Sequence, residues 1–308
     1  MKNILILCRR DDRESYDTQA TMLAQLQALE DPDAQYSGAD YEDLLFDFDG
    51  QELRVTDTVS GNDLRTFDTI FLIGWFKTKA LDDVARSVAH YAAAHGVAFA
   101  NSEAFYGRSF TKLSQCVLAA LNGVRVTPFL FSLDRQVLHS AILQADRPWP
   151  MIVKAVAASR GQNNFLVHEA EEMERILTTD IELNIHYIVQ EFVPNDGDYR
   201  ILVMGGKVRM AIHRKAQSTT HLNNTSQGAT ATLVAAEDLP SAVQAEALKL
   251  AQLFHREVTG VDMVKHRDNE NYYFLEANNM PQLSTGSFVP EKMQQLAAYL
   301  KEITAIVG

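Results

Sequence analysis

Short unbroken apolar runs alternate along the chain with stretches in which apolar residues recur every three or four positions. Ile4-Leu5-Ile6-Leu7-Cys8 has the length of a fully buried strand, and residues 14–29 follow it with Met22, Leu23, Leu26 and Leu29 at helical spacing. Residues 44–48 and 52–59 flank Asp49-Gly50, a dipeptide whose members both tolerate positive φ, which predicts a tight hairpin. Residues 69–73 predict another buried strand, residues 80–94 an Ala-rich helix closed by Gly96, and residues 97–100 a further short strand. Strand and helix in alternation with short connections predict a small α/β domain with a doubly wound, partly parallel sheet in the first third.

From about residue 108 the pattern changes. Residues 111–122, 134–143 and 170–178 carry helical periodicity, while 126–132, 149–156, 164–167 and 187–192 read as strands; the last runs into Pro194-Asn195-Asp196-Gly197, a turn cluster placed as a hinge between two halves. Residues 198–204 and 207–213 flank Gly205-Gly206 as a hairpin. The polar stretch 216–229 reads as a functional or a disordered loop. Pro240, Ser241 and Gln244 resemble a capping box opening a helix over 241–256, residues 258–265 and 272–277 form a strand pair, and residues 290–306 close with a helix. No internal repeat is visible.

Composition narrows the class. With 308 residues the chain has room for about two domains of roughly 150 residues each. Its formal net charge of −12 disfavours wrapping around nucleic acid or lying on an acidic membrane face. Residues 1–110 hold 10 basic against 19 acidic side chains, so the acidity is concentrated there. Two cysteines, Cys8 and Cys116, are too few for a disulfide framework and lack metal-ligand spacing, which fits a reducing cytoplasm. The first apolar run is cut by Arg9, Arg10, Asp11 and Asp12, too early for a signal sequence or a membrane span, and no later run reaches spanning length.

Three clusters carry candidate chemistry. Glu276 and Asn278 project on one side of the last strand, and Asp262 joins them if 258–265 and 272–277 pair. Two carboxylates and an amide oxygen make a hard, oxygen-only site suited to magnesium; a solvated sheet face accounts for the same spacing. Lys154 ends an apolar strand before the turn Ala158-Ser159-Arg160-Gly161-Gln162-Asn163, as a phosphate-neutralising lysine would, or as one that snorkels to water. Gln190-Glu191-Phe192-Val193 is either a strand offering backbone groups to a flat heterocycle or an ordinary edge strand. Arg200, Arg209 and Arg214 alternate with apolar residues along a cleft or along the wet face of a hairpin.

Taken in order, Lys112, Lys154, Gln190, Glu191, Phe192, Val193, Asp198, Arg200, Arg214, Asn224, Asp262, Glu276 and Asn278 resemble the ATP-grasp superfamily over about residues 108–308. The nearest likeness is to carboxylate–amine ligases of the ribosomal-protein glutamate ligase type, with glutathione synthetases and D-alanine:D-alanine ligases sharing the architecture. The resemblance implies an α/β fold in which an N-terminal domain, residues 1–107, precedes a two-part grasp domain, about 108–190 and 194–308. It implies that Lys112 and Lys154 contact nucleotide phosphates, that Gln190 to Val193 hold adenine, and that Asp198 and Asn224 belong to the nucleotide pocket. Arg200 and Arg214 are implied as catalytic cleft arginines, and Asp262, Glu276 and Asn278 as ligands of magnesium, or of manganese in its place. Ala158 and Asn163 stand where the family's phosphate flap usually has glycines, leaving Gly161, and Leu222 replaces an arginine of the acceptor loop.

The implied reaction is a two-step ligation: a carboxylate attacks the γ-phosphate of ATP, and an amine displaces phosphate from the acylphosphate. The expected acceptor is a small amino acid, a peptide or a protein, with neither nucleic acid nor membrane as partner, and a homo-oligomer is compatible with the resemblance. Two alternatives stand beside it. One is a peptide-modifying ligase forming macrolactam or macrolactone links, suggested by Met280-Pro281-Gln282-Leu283; the other is a non-catalytic nucleotide-binding regulator, suggested by the altered flap and Leu222.

Overall fold

The first apolar run becomes the centre of a parallel sheet. β1 (Lys2–Cys8) lies between β2 (Ala34–Asp40) and β5 (Thr69–Leu72), and β6 (Ala98–Ala100) extends the sheet beyond β5, giving the order β2-β1-β5-β6. The computed structural model describes residues 1–10, 17–76, 78–107, 110–156, 163–179, 185–216 and 230–304. Between β2 and β5 the chain makes the hairpin of β3 (Leu44–Phe48) and β4 (Leu53–Asp57). Its turn differs from the expected two-residue type. Only Gly50 takes positive φ, and Asp49 Oδ1 accepts the N–H groups of Gln51 and Glu52, so an aspartate-capped loop of four residues links the strands.

α1 (Gln19–Gln27) and α2 (Lys79–Ala94) cover opposite faces of this sheet. Both open on a threonine whose hydroxyl accepts an N–H of the first turn, Thr18 from Thr21 and Thr78 from Leu81. The α2 side packs Leu5, Leu7, Ile70 and Leu72 against Ala85, Val88 and Ala92. The α1 side continues into the C-terminal part of the chain, where α7 (Val289–Glu302) brings Met293, Leu296 and Leu300 into the same core.

Residues beyond 110 build two antiparallel sheets. α3 (Lys112–Leu121) leads to β7 (Phe129–Phe131), α4 (Arg135–Gln144), β8 (Met151–Ala155), β9 (Asn164–Val167), α5 (Ala170–Thr179) and β10 (Tyr187–Glu191), with sheet order β7-β10-β8-β9. Met151, Val153, Tyr187 and Val189 point to α4 and α5, which turns Ile152, Lys154, Ile188 and Gln190 to the opposite face. β11 (Asp198–Met204), β12 (Lys207–Lys215), β13 (Thr230–Val234), β14 (Val258–Lys265) and β15 (Tyr272–Asn278) form the third sheet, ordered β13-β12-β11-β14-β15. α6 (Ser241–Leu253) packs on its back. The expected capping box is absent there: Gln244 reaches back to the carbonyls of Ala236 and Leu239 instead of the N-cap.

A buried ion pair joins the parallel sheet to the third. Glu103 accepts two hydrogen bonds from Arg256, Nε at 2.8 Å and Nη2 at 2.6 Å, with both side chains almost wholly enclosed. Glu257 Oε2 accepts the Ser102 N–H at 2.6 Å, and Asn101 Oδ1 accepts the Val258 N–H at 2.7 Å. Removing one member of such a pair leaves the other charge unpaired in the interior. Arg256→Met is therefore expected to cost about 3–5 kcal/mol, read as a lower urea midpoint, and Glu103→Met in the same chain to recover part of the loss.

Candidate active site

Strand register assembles the charged residues. Asp198 lies opposite Arg214 across β11 and β12, Arg200 opposite Asp262 across β11 and β14, and Asp262 opposite Glu276 across β14 and β15. Cross-strand partners and residues two apart share a face, so all of these and Asn278 project on one side of the sheet. Period-two alternation would also put Phe274 there. The register slips at Asp262/Met263, with Leu275 as the extra residue, and this bulge sends Phe274 into the core while Glu276 stays on the polar face.

Arg200 donates Nε to Asp262 Oδ1 at 2.9 Å and Nη2 to Oδ2 at 2.8 Å. Arg214 makes the same fork with Asp198, at 2.7 and 2.8 Å, and its Nη2 lies 3.1 Å from Asp262 Oδ2. Asp198, Arg200, Arg214 and Asp262 are all buried. Burial pushes the Asp262 carboxyl up, but Arg200 and Arg214 outweigh it and hold the group below the usual range. For Asp198 burial wins over Arg214, with Asp262 adding to it, and the carboxyl is pushed up to about 6. Both forks of the implied cleft arginines thus face carboxylates of the chain itself. Asn278 Nδ2 donates to Asp262 Oδ2 at 3.2 Å and to Glu276 Oε1 at 3.4 Å.

α3 and the second sheet supply one cation each. Lys112, at the N-terminus of α3, places Nζ 3.8 Å from Glu276 Oε2. Lys154 projects from the face of β8 turned away from α4 and α5; burial lowers its pKa, and the charge of Glu276 opposes the drop. Gln190 donates Nε2 to Thr127 Oγ1 at 2.7 Å, which ties β10 to the segment after α3. The Glu191 N–H donates to the Pro128 carbonyl and the Phe192 N–H to that of Pro150, so two N–H groups of the 190–193 strand are engaged by the residues that lead into β7 and β8. Glu191, Phe192 and Val193 border a cavity of about 450 Å³ lined also by Arg125, Trp149 and Tyr273, none of the lysines or carboxylates above among its walls.

Several supporting residues were not assigned to the site from the sequence pattern. Gln115 of α3 bonds both backbone groups of Ala277, accepting its N–H at 2.8 Å and donating to its carbonyl at 3.3 Å, and so fixes β15 between Glu276 and Asn278. A glutamine on the buried side of a helix was the available clue. Gln282, in the left-handed region at φ 60°, accepts Arg200 Nη1 at 3.3 Å. Its loop is clamped from two sides: Asp17 accepts the N–H groups of Leu283 and Ser284, each at 2.8 Å, and Lys292 donates to the carbonyls of Gln282 and Thr285.

Other expected residues fall elsewhere. Arg209 turns to Glu302 and the Met204 carbonyl, away from the cluster. Asn163 adopts positive φ, as an asparagine in a glycine position must. Ala158 and Gly161 of the flap, and Leu222 and Asn224 of the polar loop, lie outside the described residues.

Among the described residues no three His, Cys, Asp or Glu side chains gather as a metal cluster. The hard set is Asp262, Glu276 and the amide of Asn278, whose nitrogen now spans the two carboxylates. Turning that amide over presents its oxygen instead, and two carboxylates with an amide oxygen fit a magnesium ion.

The fold is that of ATP-grasp ligases. Macrocyclase MdnC of Microcystis aeruginosa, bound to the precursor peptide MdnA, superposes with a TM-score of 0.67 at 15% identity, covering 97% of this chain and 99% of that one. D-alanyl-alanine synthetase A of Vibrio cholerae gives 0.65 at 15% identity over 98% and 96%. A ligase PsnB, complexed with a phosphomimetic variant of its minimal precursor, Mg and ADP, gives 0.67 at 17% identity over 97% of each chain. Residues 111–296 match the RimK-like ATP-grasp domain, and the chain belongs to that family. Among curated relatives, a probable alpha-L-glutamate ligase of Alcanivorax borkumensis is 27% identical over 192 residues, 61% of each chain, and one of Halorhodospira halophila is 29% identical over 180 residues, 57% of each. The chain spans about three-fifths of the length of these relatives.

Burial lowers the Lys292 pKa from its ordinary 10.5 to about 8, Asp17 opposing and Arg200 adding to the drop. Between these values the unfolded chain binds a proton that the folded chain has released, so this group makes stability rise with pH there. Denaturant unfolding of the wild type against Lys292→Met is expected to show that positive slope between about pH 8 and 10.5 in the wild type alone.

Proposed function

We propose that the protein is an ATP- and magnesium-dependent ligase that joins a carboxylate to an amine through an acylphosphate, releasing ADP and phosphate. The observation that carries this reading is the convergence of Asp262, Glu276 and Asn278 on one sheet face with Lys112 beside Glu276. Membership of the RimK-like family and the named ligases among its relatives support it. Residues 1–107 are read as the domain that accompanies a grasp domain from 108 onwards.

In the first step a substrate carboxylate oxygen bonds to the γ-phosphorus of ATP and the bond to the β–γ bridging oxygen breaks. The two reacting groups are anions, so the demand on the protein is electrostatic. Lys154 and Lys112 would lower that repulsion, Lys154 more strongly for being desolvated. Asp262, Glu276 and Asn278 would hold magnesium, which when bound supplies further neutralisation of the phosphates. Arg200 and Arg214 keep Asp262 ionised and in place. In the second step the amine nitrogen bonds to the acyl carbon, the carbon–oxygen bond to phosphate breaks, and the nitrogen loses a proton. Adenine would lie along Gln190, Glu191, Phe192 and Val193, with Asp198 and Asn224 at the nucleotide pocket.

The acceptor is read as an amino acid, a peptide or a protein, and the compartment as the cytoplasm; no helix among the described residues is long and apolar enough to cross a membrane. A second reading, modification of a precursor peptide, is favoured by the peptide-bound neighbours that cover nearly the whole chain.

ADP and phosphate release with magnesium and ATP, measured against pooled amino acids and peptides with products weighed by mass spectrometry, tests both. A product weighing its two substrates less water is expected; ATP turnover without such a product contradicts ligation. Glu276→Ala and Lys154→Ala are each expected to reduce ADP formation by at least about 100-fold with an unchanged circular dichroism spectrum. Full turnover in either removes the assigned role.

A further inference from the structure

Arg200 is pinned by more than its fork. Nε and Nη2 go to Asp262, and the remaining nitrogen, Nη1, donates to Gln282 Oε1 at 3.3 Å. The stem of the side chain is enclosed as well. Gly260 lies two residues from Asp262, on the same face of β14, between Leu202 of β11 and Asn278 of β15. A Cβ at that glycine would stand 2.8 Å from Pro281 Cβ and 3.2 Å from Arg200 Cγ and Cδ. Pro281 and the Arg200 methylenes thus occupy the space that the missing side chain leaves, and Gln282 follows directly onto the guanidinium.

The backbone pays no heed to its own preference there. Gln282 has a φ of 60°, in the left-handed region that glycine accepts freely and other residues seldom enter. A residue is kept in that region only where its surroundings over-determine it. The clamp on this loop does so: Asp17 accepts the N–H groups of Leu283 and Ser284, and Lys292 donates to the Gln282 carbonyl. Glycine would satisfy the same backbone, but it has no amide oxygen to set on Arg200. The need for that oxygen lies in the rivals nearby. Asp198 and Glu276 share the face with Asp262, so a long guanidinium side chain held at fewer points has other carboxylates to visit.

We propose that Gln282 is a positioning residue of the ligase reaction, holding Arg200 on Asp262 and thereby the direction in which Asp262 presents its carboxylate. This deepens the ligase reading and rests on it for the kinetic consequence. Among the described residues the Gln282 side chain bonds Arg200 and no group assigned to the nucleotide, so its removal acts on turnover more than on MgATP binding.

The test compares the wild type with Gln282→Gly and Gln282→Asn. Both replacements accept a left-handed φ; glycine has no side chain to reach Arg200, and asparagine is one methylene short. Relief of the backbone offsets the added freedom of the unfolded chain, so each variant is expected to melt within about 3 °C of the wild type. ADP release is measured with MgATP and the amino acid and peptide pools. The kcat is expected to fall at least about tenfold, with the KM for MgATP changed less than about threefold. In protein labelled with nitrogen-15 arginine, the Arg200 Nε–H signal is assigned by its loss in Arg200→Lys or Arg200→Gln. Its hydrogen exchange is expected to be at least about tenfold faster in both Gln282 variants than in the wild type. Turnover and exchange must change together: either one staying at the wild-type level in both variants overturns the proposal, as does a fall in turnover that only follows the melting temperature down. A wild type that forms no ADP with any pool refutes the ligase reading, and the Arg200 exchange then still decides whether Gln282 holds Arg200.

Discussion

The carboxylate of Asp262 sits in the interior with two guanidinium groups upon it, and much of the molecule follows from that arrangement. A buried carboxylate without compensation is too costly to keep. Here the compensation comes from neighbouring strands, Arg200 on β11 and Arg214 on β12, in forks whose geometry leaves little freedom. Sliding β14 by one residue along β11 would turn Asp262 into the α6 core and Met263 out of it. The register of the third sheet is thus held by charge pairing as well as by hydrophobic alternation.

Around that centre the supports come from separate parts of the chain. α3 contributes Lys112 to Glu276 and, one turn later, Gln115 to the backbone of Ala277, so one helix positions both a cation and the strand it faces. The loop after β15 is held by Asp17 from the N-terminal part and by Lys292 from α7, and it returns Gln282 to Arg200. Arg200 is therefore linked to Asp17 of the N-terminal part through the loop that carries Gln282.

Much of this was legible in the sequence, and for identifiable reasons. Strands such as β9, β11 and β14 are bounded by turn residues or polar breaks, and their limits were read without error. β2 and β13 were missed because neither has an apolar run: Ala34–Asp40 is a mixed stretch made a strand by pairing with β1, and Thr230–Val234 by pairing with β12. The carboxylates and lysines were found because their residue types and order are informative. Their partners were not, since which carboxylate an arginine forks depends on cross-strand register, and the bulge at Leu275 obeys no local periodicity. Lys292 lies in a helix whose pattern gives no hint of polar work, and Met280-Pro281-Gln282-Leu283, though singled out as a motif, did not tell that Gln282 would meet Arg200.

The division of charges between the two hairpins of the third sheet bears on how the protein is made. On the face that bears the site, β11 and β12, joined by Gly205-Gly206, carry Asp198, Arg200 and Arg214, a surplus of one positive charge, while β14 and β15 carry the two negative charges of Asp262 and Glu276. Each hairpin can form from local contacts as the chain emerges, but Arg200 and Asp262 find each other only when the two meet along β11 and β14. Closure of the sheet and assembly of the site are then a single event. A chain halted between residues 215 and 258 would hold a finished first hairpin whose two arginines have a single carboxylate between them.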